Sequence, residues 1–125
     1  MAICQVETVE QRSVAQKEGT MVRVIIEHQT TPENVERIID LIRELRNEAM
    51  KQPGYITGET LVNTEDTTNV LVISTWRSVK DWDAWDTCET RQKITQQIKP
   101  LLLKPYTVRI YRYHLTKENR VWSTF

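Results

Sequence analysis

Residues 54–85 read GYITGETLVNTEDTTNVLVISTWRSVKDWDAW, and this stretch decides the fold. Residues 55–63 and 69–76 both alternate between apolar and polar side chains, and the polar cluster NTEDTT at 63–68 separates them. Two alternating runs joined by turn-forming residues are typical of an antiparallel hairpin. We therefore predict two paired strands in the middle of the chain.

A helix is predicted directly after this hairpin. The Ser78 hydroxyl can accept a hydrogen bond from an amide of the first turn, and Asp81 holds the acid position of a capping box, where Glu or Gln is more usual. Trp82 and Trp85 then fall about one turn apart, on the same face of the helix. A helix that presents two indoles towards a hairpin can form one wall of an apolar pocket.

The segment before the hairpin predicts one strand and one helix. VRVIIEH at 22–28 alternates, so that Val22, Val24, Ile26 and His28 share one face of a first strand. Thr31 as cap and Pro32 as first helical residue then predict a helix that ends near Lys51. Its apolar stripe consists of Val35, Ile38, Ile39, Ile42 and Leu45.

The segment after the hairpin continues as helix and ends in a strand. Residues 89–97 are polar but helical in tendency, with Ile94 and Ile98 as buried contacts, and Pro100 bends or ends this second helical region. YTVRIYRY at 106–113 predicts the last strand. The order βαββαβ predicts an α+β, ferredoxin-like fold: a four-stranded antiparallel sheet with both helices on one face.

The chain length of 125 residues fits one domain. We assign the ferredoxin-like domain to residues 21–114, an N-terminal arm to 1–20 and a C-terminal tail to 115–125. A short polar arm is ordered only when something holds it. We therefore expect the arm to lie against the body of the protein or against a second subunit.

Composition excludes several classes of partner. Lys plus Arg and Asp plus Glu both number 17, and no long like-charge run occurs, so we expect neither nucleic acid nor a membrane surface as partner. No signal peptide pattern and no apolar run near ~18 residues is present. Cys4 and Cys88 lie far apart without metal-ligand spacing, and we expect reduced thiols in a cytoplasmic protein.

Helices on one face leave the other face of the sheet open. That open face carries Arg23, Ile25 and Glu27 from the first strand. Its apolar area is in contact with water in a monomer, and a symmetric two-fold dimer is the commonest way to cover such an area. We predict a homodimer formed through the open sheet face.

Several short motifs resemble one protein family. PGY at 53–55, STW at 74–76, the Ser78 cap, WDAW at 82–85 and PLL at 100–102 are similar to the antibiotic biosynthesis monooxygenase domain, over about residues 22–113. Members of that family resemble one another as dimeric α/β barrels. Their activities include cofactor-free oxygenation of polycyclic phenols, quinol oxidation and haem degradation. The resemblance implies the same dimeric barrel and a monooxygenase activity on a small aromatic or quinol-type substrate.

The haem-degrading branch of the family permits a comparison by residue. The resemblance aligns its pocket tryptophan with Trp85, its strand-one asparagine with His28, and its iron-binding helix histidine with Thr95. A threonine hydroxyl is a poor ligand for haem iron, for which imidazole is the usual donor. His28 is an alternative ligand on another wall of the pocket. A haem-binding or haem-degrading protein therefore stays a disfavoured alternative, and we expect no cofactor.

Cofactor-free oxygenation needs an apolar slot, a base and donors for the developing oxyanion. His28 is the candidate base, because the ordinary pKa of histidine lies near neutrality. Trp82 and Trp85 are expected to stack on the substrate ring. Indole N–H groups and the hydroxyls of Ser74 and Thr95 are expected to orient its oxygen atoms, and no metal is required.

A non-catalytic alternative stays open. Tryptophans at helical spacing beside a sheet are commonly core residues, and a single histidine at a strand end is commonly a surface or hydrogen-bonded residue. A dimer that only binds a hydrophobic small molecule explains the same sequence. An open cavity beside Trp85 that His28 reaches favours the oxygenase, whereas solidly packed tryptophans favour the alternative.

Overall fold

The structure is a computed structural model, and it describes residues 20–114. The predictions made for the N-terminal arm, for the C-terminal tail and for Cys4 lie outside the described residues. The boundaries assigned to the three segments therefore stay predictions.

Four strands form one antiparallel sheet: β1 (Val22–Gln29), β2 (Tyr55–Val62), β3 (Asn69–Trp76) and β4 (Thr107–Arg112). Their spatial order is β2-β3-β1-β4, which is the order of the ferredoxin-like arrangement, and the predicted hairpin pairs β2 with β3. The α+β, ferredoxin-like prediction is confirmed. The sheet is open within one chain, so the two-subunit barrel stays a prediction.

The helices agree with the predicted order, but the second helical region is divided. The helices are α1 (Val35–Ala49), α2 (Val79–Asp86) and α3 (Glu89–Ile98), and a short 3-10 turn follows at Lys99–Leu101. The division occurs because the backbone of Cys88 is extended, with φ −65° and ψ 136°. The Thr87 hydroxyl donates to the Asp83 carbonyl at 3.0 Å, which satisfies one of the last carbonyls of α2.

The predicted start of the first helix is wrong by one turn. The residue before α1 is Asn34, and its side chain makes no capping hydrogen bond. The Thr31 carbonyl accepts the amides of Asn34 and Val35, both at 3.1 Å, so residues 32–34 form a turn. The Thr31 hydroxyl is buried and has no hydrogen-bond partner among the described residues, so Thr31 acts through its backbone.

The inner face of the sheet carries the core. The alternation predicted for β1 is confirmed, because Val22, Val24, Ile26 and His28 are all at most 5% exposed. Strand pairing places Ser74 opposite Val24 on this same face. Three tryptophans belong to a first core cluster, which consists of Val22, Val24, Ile26, Ala49, Trp76, Trp82, Trp85 and Cys88. A second cluster lies between the sheet, α1 and α3, and it includes Ile38, Leu41, Ile42, Val70, Ile94 and Ile98.

The expected reduced thiol is wrong for Cys88. Residues 20–114 contain no free cysteine, and Cys88 is disulfide-bonded. The disulfide-bonded state of Cys88 therefore does not support the prediction of a cytoplasmic protein. None of the helices in residues 20–114 has the length and apolar character needed to span a membrane.

Candidate functional site

A cavity lies between the helices and the inner face of the sheet. The volume open to the centres of water molecules is about 50 Å³, and the void between the lining atoms, including its open mouth, is about 530 Å³. One water needs roughly 10–15 Å³ of such space, so the enclosed part has room for several waters. All the residues singled out from the sequence line this cavity: His28, Ser74, Trp82, Trp85 and Thr95.

The start of α2 sets the direction of both pocket tryptophans. The predicted Ser78 cap is present, since the Ser78 hydroxyl oxygen accepts the Asp81 amide at 3.2 Å and the hydroxyl donates to Asp81 Oδ2 at 3.1 Å. Arg77 Nε donates to the same carboxylate at 2.9 Å. This network fixes the first turn of α2. The helix therefore directs Trp82 and Trp85, which lie about one turn apart, towards the cavity.

His28 is a neutral imidazole with a defined tautomer. It is 3% exposed, and its Nδ1 lies 3.2 Å from the Val70 carbonyl. A carbonyl only accepts hydrogen bonds, so Nδ1 carries the proton and Nε2 keeps a lone pair. Burial lowers the pKa of His28 from its ordinary 6.5 to about 4; the Val70 hydrogen bond opposes this, and the charge of Arg91 adds to it. The pKa of His28 therefore lies well below the ordinary value that made it the candidate base.

Arg91 is a pocket residue that sequence reasoning missed. It is 3% exposed, its Nε donates to Asp86 at 3.1 Å, and its guanidinium carbon lies 5.0 Å from the centroid of the Trp82 ring. Such stacking of a guanidinium on an indole is a cation–π contact. The available signal was the spacing of Arg91 and Thr95, which places both on one face of α3. The polar run around Arg91 concealed it.

Trp76 and Trp82 form a connected aromatic group with Tyr55. The Trp76 ring is edge-on to both Tyr55 and Trp82, with centroids 5.4 and 5.9 Å apart. The Trp76 N–H donates to Ser74 Oγ at 3.0 Å, so it is not available to a ligand, while the Ser74 hydroxyl keeps its own hydrogen. The indole N–H groups of Trp82 and Trp85 make no hydrogen bond within residues 20–114.

Thr95 does not provide the ligand that haem requires. Its hydroxyl donates to the Gln92 carbonyl at 3.1 Å, and the side chain is 2% exposed. No group of three or more His, Cys, Asp or Glu suited to a metal ion occurs among the described residues. Among the residues that line the cavity, the imidazole is that of His28, on β1, and the enclosed volume of about 50 Å³ is small. The pocket as shaped therefore does not fit a haem ligated from α3.

Arg46, Tyr55 and Gly58 are half-buried lining residues that the sequence did not single out, and we call this part of the lining the mouth of the cavity. A methyl group on Gly58 would lie 2.4 Å from the Tyr55 hydroxyl and 3.3 Å from Arg46 Nε, so both groups lie over this glycine. Burial raises the pKa of Tyr55, and the charge of Arg46 opposes the rise. Tyr106 lies beside His28, with ring centroids 5.6 Å apart.

Comparison with known proteins agrees with this architecture. Residues 21–96 match the family model described as antibiotic biosynthesis monooxygenase. No curated protein is significantly similar in sequence.

Solved structures share the fold at low identity. A conserved protein from Methanosarcina mazei Go1 superposes with a TM-score of 0.71 and 22% identity, covering 74% of this chain and 92% of that one. Rv0793 from Mycobacterium tuberculosis superposes with a TM-score of 0.71 and 14% identity, covering 79% of this chain and 100% of that one. SnoaB, a cofactor-independent oxygenase from Streptomyces nogalater, superposes with a TM-score of 0.70 and 9% identity, covering 80% of this chain and 99% of that one. At these identities the likeness concerns the fold alone.

Proposed function

The chain belongs to the antibiotic biosynthesis monooxygenase family, and we propose that it is a cofactor-independent monooxygenase of a small phenol- or quinol-type aromatic molecule. The observation that carries this proposal is the pairing of a neutral imidazole with a buried guanidinium in one aromatic cavity. The fold shared with SnoaB, which is a cofactor-independent oxygenase, is consistent with it.

The proposed reaction needs only the substrate and molecular oxygen. A phenol and its ring CH₂ tautomer share one anion, and this electron-rich anion transfers electrons to O₂ and forms a carbon–oxygen bond with it. Loss of water from the resulting peroxide leaves a carbonyl. One CH₂ group and one O₂ thus become one C=O and one H₂O, so atoms and electrons balance without a further reductant.

His28 is the proposed proton acceptor. Its Nε2 bears the lone pair because Nδ1 donates to the Val70 carbonyl, and it is unprotonated at pH 7 because its pKa is about 4. A base of such low pKa removes a proton efficiently only when the substrate anion is itself stabilised. The pocket therefore needs a second group that favours the anion.

Arg91 is the proposed stabiliser of that anion. Its charge is buried, and its Nε contacts Asp86, whose side chain is 42% exposed. A fixed cation in a site that excludes water stabilises a developing oxyanion far more than it would in water. With Arg91 stacked on Trp82, the substrate ring is expected to lie against Trp82 and Trp85, and the Ser74 hydroxyl is expected to donate to a second ring oxygen.

Oxygen uptake tests this function. Purified protein is mixed with an anthrone-type phenol, a menadiol-type quinol or haem in air-saturated buffer, and O₂ and absorbance are recorded. We expect one O₂ consumed per carbonyl formed from the anthrone-type phenol, and no Soret shift with haem. Arg91→Gln is expected to lower kcat by about 10² or more, while Arg43→Gln, on the exposed face of α1, leaves it unchanged.

The two histidines provide a second matched pair of variants. We expect His28→Gln to lower kcat and the exposed His114→Gln to leave it unaltered. Full turnover in both Arg91→Gln and His28→Gln overturns the assignment of the site. Ring binding without any O₂ uptake favours the non-catalytic dimer instead.

A further inference from the structure

The charged groups of the cavity all carry the same sign. Its lining includes two arginines, Arg46 and Arg91, and neither Asp nor Glu. Arg91 is buried beside Trp82, whereas Arg46 is half-buried and extends from α1 over the edge strand β2. A neutral aromatic ligand would leave both cations without an anionic partner inside the cavity.

The two arginines act on different strands of the sheet below the cavity. Arg46 donates from Nη2 to the Thr60 hydroxyl on β2, while the charge of Arg91 acts on His28 on β1. One strand, β3, separates β2 from β1, so the strands that carry Thr60 and His28 are about 10 Å apart across the sheet. Between them the lining is apolar and aromatic, with Val72, Trp76 and Trp85.

The mouth at Arg46 presents two hydrogen-bond donors. The Tyr55 hydroxyl occupies the space that a side chain at Gly58 would take, and Arg46 Nε lies next to the same point. The Tyr55 hydroxyl makes no hydrogen bond within residues 20–114, and its raised pKa keeps it protonated at pH 7. A guanidinium beside a phenol hydroxyl is a suitable pair of donors for a carboxylate.

We infer that the ligand is a hydroxyaryl carboxylate, whose carboxylate binds Arg46 and Tyr55 at the β2 mouth while its hydroxyl lies at Arg91 and His28. The inference rests on the proposed function for the position of the hydroxyl, because the oxygen that ionises must lie beside the base. The carboxylate then selects the orientation of the ring before the reaction.

Equilibrium binding tests this inference separately from turnover. Isothermal titration calorimetry under nitrogen uses three probes: a naphthol with a carboxylate at the opposite end of the ring system, its methyl ester, and the analogue with an aminomethyl group in place of the carboxylate. We expect the acid to bind about tenfold or more tightly than the ester. The amine is expected to bind more weakly than the ester, because its charge faces Arg46.

Three variants locate the recognition of the carboxylate. Arg46→Gln is expected to reduce the affinity for the acid to that for the ester and to leave the ester unchanged. Gly58→Ala is expected to weaken acid binding about tenfold, because the new methyl displaces the flexible end of Tyr55. Thr57→Ala, on the opposite and exposed face of β2, serves as the matched control and is expected to bind all three probes as the unaltered protein does.

Two results overturn the inference: an acid that binds no better than its ester or not at all, and a preference for the acid that survives Arg46→Gln. The outcome is distinguishable from that of the proposed function. Selective binding without O₂ uptake upholds the carboxylate site and refutes the oxygenase. O₂ uptake at equal rates with the acid and with the ester upholds the oxygenase and refutes the carboxylate site.

Discussion

Acidification is expected to destabilise this protein specifically through His28. The imidazole is 3% exposed, and burial lowers its pKa to about 4 from the ordinary 6.5 that it regains in the unfolded chain. Between these values the unfolded chain binds a proton that the folded chain does not. The stability associated with a neutral His28 is therefore complete well above pH 6.5 and is lost as the pH falls towards 4.

The magnitude follows from the two pKa values. Each pKa unit corresponds to about 1.4 kcal/mol. Linkage then gives a loss of about 2 kcal/mol between pH 7 and pH 5, and about 3 kcal/mol by pH 4. A small domain is stable by about 5–15 kcal/mol in total, so this single side chain accounts for a measurable fraction.

Urea unfolding at pH 7, 5 and 4, at one protein concentration, measures this loss. Carboxyl groups titrate in the same range, so the informative quantity is the difference between the unaltered protein and His28→Gln. We expect the free energy of unfolding of the unaltered protein to fall about 3 kcal/mol more than that of His28→Gln by pH 4. The exposed His114→Gln variant is expected to follow the unaltered protein.

Parallel pH dependences in the unaltered protein and His28→Gln contradict this prediction. Such a result means that His28 is as easily protonated in the folded chain as in the unfolded chain. It also removes the premise that burial lowers the pKa of His28 below its ordinary value. NMR titration of the His28 ring resonances then gives the folded pKa directly.

Three further predictions concern the fold and its assembly. Gly54→Ala is expected to lower the free energy of unfolding in urea by more than about 1 kcal/mol. Gly54 has φ +87°, and a methyl group there would lie 2.4 Å from the Asp81 carboxylate. An unchanged urea midpoint contradicts this prediction. Ser78→Ala is expected to cost about 1 kcal/mol through loss of the cap of α2, and equal stability refutes the role of the cap. Ile73→Glu, in the middle of the open sheet face, is expected to halve the molecular mass measured by light scattering. The control Val79→Glu, at an exposed position on α2, is expected to remain a dimer. A single-chain mass for the unaltered protein refutes the dimer.

The strands were predictable because their signal is local. Alternation in β1 places Val22, Val24, Ile26 and His28 on one side of the pleat whatever the rest of the chain does. The Ser78 cap was predictable for the same reason, since donor and acceptor are only three residues apart. The start of α1 was not predictable from the sequence. Thr31 has both a hydroxyl and a carbonyl that can accept the same amides, and the sequence pattern does not show which of the two oxygens accepts.

The candidate site was only partly predictable. His28, Trp82 and Trp85 were noticed because histidine and tryptophan are rare and chemically distinctive. Arg91 was hidden in a polar helix, where an arginine normally faces water, and its burial depends on Trp82 from another helix. The lowered pKa of His28 was equally hidden, because burial and the Arg91 charge come from elements far away in the chain.

The sequence by itself determined the order of strands and helices, the inner face of the first strand and the family of the chain, because hydrophobic period and capping act over a few residues. Only the tertiary structure decided which side chains share a cavity, which imidazole nitrogen is free and what charge surrounds it. Those properties depend on distance and burial between residues that the chain separates, and the electrostatic energy of a buried group is set by neighbours in space.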